Sequence, residues 1–460
     1  MVLIDKEYIF SCSSTIGFLS TFFGSLLFGF LLFTICKPYK FTNSTPFLIC
    51  TFAWVLFSFI GGLPIYFTTK VPFINALFEG TAGFTTTGTT ILENIEQLPR
   101  SILLWRSLMQ WLGGIGIIAF FISIQSGTPG SHKLYGAESS KLDLQRPVPG
   151  LINTIRILWT IYILCTVCTI ALLWIQKVPL FISINHGLTC ISTGGFSTFD
   201  ANIQGFQTIP GIHLGWIQST LIVGMIFGST NFLLHFRFFS GQWKAIFDTH
   251  EMKLWLFFMI LVFVVLSFSS YHPAFLVPSP LDRIFQTVSL SSTTGYTVTP
   301  FSSSTLSSMT KFLFFLLMFF GGCHGSTTGG IKMQRVLLIG KSIFREVKKL
   351  WMPEEVVLPI VLDTKRVPEN AIQQALIICS VWVLTLLMGT FLLLLSSSMS
   401  LEIAFSAQLS ALSNIGPSFM DAPTLASSNL FVKTVLIISM IAGRIEILPL
   451  LLLFQRKAWS

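Results

Sequence analysis

The chain alternates between long apolar runs that hold almost no charge and short stretches in which charge is concentrated. The long runs cover residues 10–36, 46–68, 102–125, 151–175, 212–236, 254–271, a run that begins at Lys311, 371–395 and 431–455. A helix rises about 1.5 Å per residue, so about 20 apolar residues cross the hydrocarbon core of a bilayer. The pattern therefore predicts nine full spans. Four shorter segments, from Pro72, Asn185, Asp282 and Glu402, lie between spans and predict half-spans, each leading into a run of hydroxyl residues and glycine. Those runs read Thr85-Thr86-Thr87-Gly88-Thr89, Ser192-Thr193-Gly194-Gly195-Phe196-Ser197, Ser291-Ser-Thr-Thr-Gly-Tyr-Thr-Val-Thr-Pro300 and Ser413-Asn414-Ile415-Gly416-Pro417-Ser418. Eight spans pair around these four loops and the first is extra. The expected fold is an all-α polytopic membrane protein with four helix–loop–helix pseudo-repeats around a central pore, plus one extra N-terminal transmembrane helix. The expected units are 1–42 for the extra helix, then 43–130, 131–245, 246–350 and 351–460.

Composition agrees with this pattern. The 460 residues are 52% hydrophobic and 10% charged, where a soluble domain carries about 25% charged residues. A shortage on that scale excludes a soluble globular class. The formal charge of +9 does not point to nucleic acid, because of where it falls. Lys and Arg crowd the stretches 37–40, 132–156, 237–253, 332–366 and 456–457, whereas the alternate stretches hold scattered cations such as Lys70, Arg100, Lys177, Arg283, Lys311 and Lys433. The positive-inside rule places the crowded side in the cytoplasm, so the hydroxyl loops enter from outside and the N-terminus lies outside. The first apolar run is long and lacks a basic leader, which reads as a retained helix rather than a cleaved signal. Cys165 and Cys168 form a CxxC inside an apolar helix with no second pair, so the cysteines read as small apolar residues.

The loops carry the chemistry. Phe78 precedes Gly88 by ten residues and Phe285 precedes Gly295 by ten, enough for a short descending helix and one turn. A rival register in the first loop, Ala82-Gly83-Phe84, resembles Gly195-Phe196, but the ten-residue spacing favours Gly88. A monovalent cation crossing a narrow filter must exchange its water for backbone carbonyl oxygens. That needs a glycine with an unusual backbone angle and small neighbours behind it. Thr86, Thr87 and Gly88, Thr193, Gly194 and Gly195, Thr293, Thr294 and Gly295, and Asn414, Ile415 and Gly416 meet the need. The short helices would aim their negative ends at the axis. No carboxylate lies within the loops, so no acidic ring for divalent ions is expected. A single such loop would be a polar turn; four in register between eight spans point to a pore. An intramembrane enzyme is the competing class, but HExxH is absent and the hydroxyl runs have no nearby His–Asp or lysine pair. A structural partner without transport is a further alternative.

Two features suggest a gate. Gly321 to Gly330, with Gly325, Ser326, Thr327, Thr328, Gly329 and Gly330, interrupts a span where glycine costs about 1 kcal/mol per helical position. Non-helical backbone at that depth needs burial in protein or contact with water. Arg444 lies inside the last span, at a cost of about 2.5–3.5 kcal/mol on insertion scales. It should face the carbonyls of the 321–330 loop. Glu446, two residues on, points to another face and needs another partner. Lys332 reads as the second cation of the constriction.

Taken together, Phe84-Thr-Thr-Thr-Gly88, Met109-Gln-Trp-Leu-Gly-Gly-Ile-Gly-Ile-Ile118, Gly194-Gly-Phe-Ser-Thr198, Gly321-Gly-Cys-His-Gly-Ser-Thr-Thr-Gly-Gly-Ile-Lys332, Asn414-Ile-Gly-Pro417 and Gly443-Arg-Ile-Glu446 resemble the TrkH family, the membrane subunits of Trk-type potassium uptake systems in the Trk/Ktr/HKT superfamily. The resemblance runs in order from about residue 45 to the C-terminus. It implies four M1–P–M2 repeats, potassium as the transported ion, a potassium filter in the four loops, and an intramembrane gating loop at 321–330 opposed by Arg444. It also implies a homodimer in a bacterial-type inner (plasma) membrane and a cytoplasmic ring of TrkA-like, NAD/ATP-binding regulatory subunits. The segments 332–366 and 132–156 are the expected docking sites for that ring. The family usually carries two helices ahead of the first repeat, where this chain shows one. The alternative is a sodium-coupled (Ktr-type) or sodium-permeable relative. A glycine in every loop favours potassium, since serine there is the family's sodium-favouring variant.

Overall fold

The computed structural model describes residues 12–36, 44–116, 151–244, 248–268, 279–299, 301, 306–353, 356, 358–363 and 365–456. The N-terminal charges, Lys37, Lys40, the end of the third apolar run, the basic stretch 132–150 and Lys457 lie outside the described residues.

The first helix, α1 (Cys12–Ile35), exposes Phe22, Phe23, Phe30 and Phe33 and lies against α2. Four units of one plan follow. The first comprises α2 (Thr45–Thr69), the short α3 (Phe73–Phe84) and α4 (Arg100–Ile115). The second comprises α5 (Leu151–Ile175), the short α6 (Leu180–Ile191), α7 (Leu214–Ser229) and α8 (Phe232–Phe239). The third comprises α9 (His250–Phe268), the short α10 (Pro280–Ser291), α11 (Ser308–Phe319) and α12 (Met333–Lys349). The fourth comprises α13 (Glu369–Ser396), the short α14 (Leu401–Ser413), α15 (Ala422–Ser427), α16 (Leu430–Arg444) and α17 (Leu448–Leu452). A two-residue antiparallel pair, Val361–Leu362 with Lys365–Arg366, lies between the third and fourth units.

Local chemistry starts the short helices. Pro72 and Pro179 stand at the N-caps of α3 and α6. At α10 Ser279 and Asp282 form a reciprocal capping box with Pro280 in the first turn. At 12 or 13 residues these helices reach only about 18–20 Å and stop inside the protein. Their neighbours close a circuit: α4 packs on α6, α7 on α10, α11 on α14, and α16 returns to α3. The second helix of each unit therefore rests on the short helix of the next.

The reading of nine full spans, one of them broken at 321–330, needs correction in the other second helices. Among the described residues, five helices are long and apolar enough to cross a membrane: α1 and the first helices α2, α5, α9 and α13. The second helices are shorter, and among the described residues breaks follow α7, α11 and α16. The helix α4 ends at Gly116, with φ 87°. The expected span 212–236 is two helices, α7 and α8, bent by 106°. The helix α11 runs into the loop at 321–330. The expected span 431–455 stops at Arg444, with Glu446 and Ile447 at positive φ. Hydropathy cannot register a break of two or three residues set between apolar turns. The freed backbone groups find partners instead. Thr230 Oγ1 donates to Ile226 O at 3.0 Å, Asn231 caps Leu233 N at 2.8 Å, and Ser229 O accepts from Cys323 N at 3.0 Å.

Small residues set the approach of α2 to α3. A Cβ on Gly62 would stand 2.6 Å from Ala76 O, and one on Gly80 would stand 2.6 Å from Gly62 N. Gly80→Val is expected to lower the thermal midpoint in detergent, reflecting a loss of about 1–3 kcal/mol from overpacking. Gly24→Val, where nothing lies within 4 Å, is expected to leave the midpoint unchanged.

Candidate functional site

Beyond each short helix the chain folds back onto the helix end. Thr86 N and Thr87 N donate to Gly83 O and Ala82 O, both at 3.0 Å. Thr193 N and Gly194 N donate to Cys190 O and Thr189 O at 3.1 and 2.9 Å. Thr293 N and Thr294 N donate to Leu290 O and Ser289 O at 3.1 and 3.0 Å, and Asn414 N and Ile415 N to Ala411 O and Ser410 O at 3.3 and 3.1 Å. In a trans peptide the N–H and the preceding C=O point opposite ways. Amides directed into the helix ends therefore turn the carbonyls of these segments away from the helices.

The four segments share one backbone pattern. Thr86, Thr193, Thr293 and Asn414 have φ of 56°, 51°, 53° and 53°. Two residues on, Gly88, Gly195, Gly295 and Gly416 have φ of 78°, 76°, 81° and 111°. A β-branched residue in the left-handed region is strained by about 1–3 kcal/mol, and here three threonines hold the same position.

The segments meet. A Cβ on Gly88 would collide with Gly194 O, one on Gly195 with Thr294 O, and one on Gly295 with Ile415 O. One on Gly416 would stand 2.7 Å from Thr87 O, which returns to the first unit. Each glycine thus faces the carbonyl of the residue that precedes the next unit's glycine, and the fourth contact closes the ring. Gly83, the rival in the first loop, lies inside α3 against Met109.

Behind the ring is a buried ion pair. Arg106 Nε on α4 lies 2.7 Å from Glu79 Oε1 on α3, with side-chain exposures of 1% and 0%. Glu79 also accepts from Thr90 Oγ1 and Ile91 N, each at 3.0 Å. Arg106 reaches Ser197 O at 3.3 Å and stacks 4.1 Å from the centre of the Phe196 ring. The pair therefore ties the first short helix, the chain beyond Gly88, and the second unit's segment. Elsewhere Thr189 Oγ1 bonds Tyr296 Oη at 2.6 Å, and Asn414 Nδ2 donates to Thr87 Oγ1 at 2.9 Å. Sequence reasoning missed Arg106 and its neighbour Gln110. The available signal was an arginine and a glutamine inside an apolar run, which must face protein.

The loop at 321–330 lies against the ring. Thr327 Oγ1 bonds Thr193 Oγ1 at 3.0 Å, and Gly329 N donates to Thr293 Oγ1 at 2.9 Å. Arg444 Nη1 donates to Thr86 Oγ1 at 3.1 Å and to Thr327 O at 2.9 Å. Its Nη2 donates to Gly114 O at 2.8 Å and also to Gly113 O. The hydroxyls of all three left-handed threonines are thereby held by the loop or by Arg444. Gly329 also packs on Asn414, where a Cβ on Gly329 would lie 3.0 Å from Asn414 Cβ. Phe232 N donates to Gly325 O at 3.2 Å, Ser326 Oγ bonds Thr328 Oγ1 at 2.7 Å, and Gly330 has φ 65°. Lys332 is buried, and its Nζ donates to Thr328 O and, at 3.0 Å, to Thr328 Oγ1. Glu446 pairs with Arg335 rather than Arg444. Glu251 anchors the flanks, accepting from His324 N at 2.6 Å and Gln334 N at 3.0 Å. A cavity of about 180 Å³ opens on the far side of the loop, lined by residues 324–330, Lys332, Arg444 and the end of α4 at Gly114–Gly116 among others.

Comparisons with known proteins agree with this architecture. A family model described as TrkH, cation transport protein, matches residues 16–272 and 251–460. The Trk system potassium uptake protein TrkH of Salmonella typhimurium is 32% identical over 459 residues, covering 96% of this chain and 92% of that protein. The Trk system potassium uptake protein TrkG of Escherichia coli is 30% identical over 433 residues, covering 90% and 85%. The crystal structure of the potassium transporter TrkH from Vibrio parahaemolyticus superposes with a TM-score of 0.83 at 28% identity, covering 100% of this chain and 96% of that one.

Replacing Arg106 by methionine would leave Glu79 buried without its cation. A loss of about 3–5 kcal/mol is expected, read as a large fall in the detergent melting midpoint, with a smaller fall when Glu79→Gln is added.

Proposed function

Because this chain belongs to the TrkH family of cation transport proteins, we propose that it takes up potassium across a bacterial-type plasma membrane through the ring of Thr86–Gly88, Thr193–Gly195, Thr293–Gly295 and Asn414–Gly416. The observation that carries this reading is the closed contact circuit of the four glycines. Left-handed residues alternate along each segment, a backbone that can turn successive carbonyls toward one side. A set of such oxygens can replace the water of a dehydrated alkali ion. The C-terminal ends of α3, α6, α10 and α14 add negative dipole ends beside the segments. The relatives are named for potassium uptake, and a glycine in every segment suits that ion.

In this proposal residues 325–330, Lys332 and Arg444 form the gate, held shut against the ring by the bonds to Thr86, Thr193 and Thr293. Opening removes the loop and hydrates the cavity beyond it. The helix α12, which starts at Lys332 and carries Arg335, Lys341, Arg345, Lys348 and Lys349, transmits movement to the loop. It would be contacted by a cytoplasmic TrkA-like nucleotide-binding subunit, with the chain acting as a homodimer and its ring facing outside.

The deciding experiment is rubidium uptake in a cell that lacks its own potassium uptake systems, with and without a regulatory subunit. Uptake dependent on this chain is expected, and a correctly inserted protein that supports none would reject the reading. Gly295→Ser places a side chain against Ile415 O and is expected to lower potassium-over-sodium selectivity about tenfold in reconstituted vesicles, equivalent to about 1.4 kcal/mol. Deleting 325–329 is expected to raise ion flux; a folded deletion protein that conducts no better would remove the gating role.

A further inference from the structure

We propose that Gln110, on α4 of the first unit, is a positioning residue for the second unit's ring segment and sets how closely the ring fits its ion. The inference rests on the filter reading above. It starts from an asymmetry. The residue before the ring glycine is Thr87 in the first unit, Thr294 in the third and Ile415 in the fourth, but Gly194 in the second. In the other units that side chain packs behind the segment. Thr87 Oγ1 bonds Thr85 Oγ1 at 2.7 Å, Thr294 Oγ1 bonds Ser292 Oγ at 2.8 Å, and Ile415 is fully buried. The second unit has no side chain there to do this.

Gln110 occupies the vacant place. It is fully buried, and a Cβ on Gly194 would collide with its Cδ and Oε1 and lie 2.9 Å from its Cβ. Its carboxamide grips the segment twice. Nε2 donates to Gly194 O at 2.6 Å, and Oε1 accepts from Phe196 N at 3.1 Å. These two groups flank Gly195. A carboxamide is the side chain that donates and accepts from one planar group. Glutamate has the same shape but, when ionised, no donor for Gly194 O, and asparagine is one methylene short.

Two consequences follow. Gly194 is glycine because a neighbouring unit's side chain fills the space, in addition to any backbone requirement. The Gly194 carbonyl, which is the one pressed against Gly88, is also shared with an amide donor. A carbonyl oxygen has two lone pairs, so it can still face an ion while Gln110 fixes its direction. The ring is therefore braced at this position from α4 rather than from its own unit.

The test is the potassium-over-sodium permeability ratio of the full-length protein in vesicles, measured beside rubidium flux. Gln110→Glu, which preserves shape and loses only the donor, is expected to lower the ratio about fivefold, the worth of one net hydrogen bond, and Gln110→Ala, which loses both bonds, by at least as much, while rubidium flux persists. Gly194→Thr alone should fail, because its Cβ meets Gln110. The double variant Gln110→Gly with Gly194→Thr, which also removes the Gln110 Cβ that would lie 2.9 Å from the new one, restores the arrangement of the first and third units and should recover the ratio to within about twofold of the parent. A ratio unchanged in Gln110→Glu, or a double variant no better than Gln110→Ala, would overturn the proposal. Should Gln110→Ala fail to fold, Gln110→Glu decides alone. A parent protein with no potassium preference would instead defeat the filter reading itself, so the two failures are distinguishable.

Discussion

Four backbone segments must approach so closely that no Cβ fits between them, and this is the constraint on which the rest of the protein depends. The contacts of Gly88, Gly195, Gly295 and Gly416 with the carbonyls of the next unit leave room only for hydrogen. Positive φ at the same residues excludes other side chains a second time. The circuit of helices outside repeats the order of the circuit inside. Each second helix packs on the following unit's short helix, and each glycine meets the following unit's carbonyl. A ring built this way cannot form from one unit, because every segment completes the surface of its neighbour.

Strain at the ring is offset by the surrounding polar structure. Three threonines in the left-handed region are unfavourable by about 1–3 kcal/mol each. The amides around them are satisfied by the ends of the short helices. Further ties run between units: Arg106 to Ser197 O, Tyr296 to Thr189, Asn414 to Thr87, and Lys433 to Asn75 at 2.8 Å. These groups are buried, so losing one partner would leave the other unsatisfied. That asymmetry makes such a network rigid.

The proposed gate uses the same threonines. Three bonds, Thr327 to Thr193, Gly329 to Thr293 and Arg444 to Thr86, join the loop and Arg444 to the ring, and a fourth, Arg444 to Thr327 O, joins the two to each other. At about 0.5–1.5 kcal/mol net each, they sum to a few kcal/mol. That is the scale of ordinary coupling between a regulator and its target, about 1–3 kcal/mol. A loop anchored at both flanks by Glu251 and continuous with α12 can then move as one element. Breaking its contacts also removes supports from the strained residues, which links the state of the gate to the shape of the ring.

Hydropathy and the repeated hydroxyl–glycine runs were sufficient for the membrane class, the helix–loop–helix order and the glycines that meet, because these signals are local and recur four times. The interruption at 321–330 was legible because five glycines sit within ten residues of an apolar span. Arg444 was legible as a cation within an apolar span, in need of carbonyls. The breaks after Ser229 and Arg444 were not legible, because two or three residues of ordinary polarity do not change a window average. Nor were the partners Arg106 with Glu79, Glu446 with Arg335, or Gln110 with Gly194. Those pairs join residues 27, 111 and 84 positions apart. Composition says that a buried charge or amide needs a partner; only packing in three dimensions decides which distant group comes within hydrogen-bonding reach.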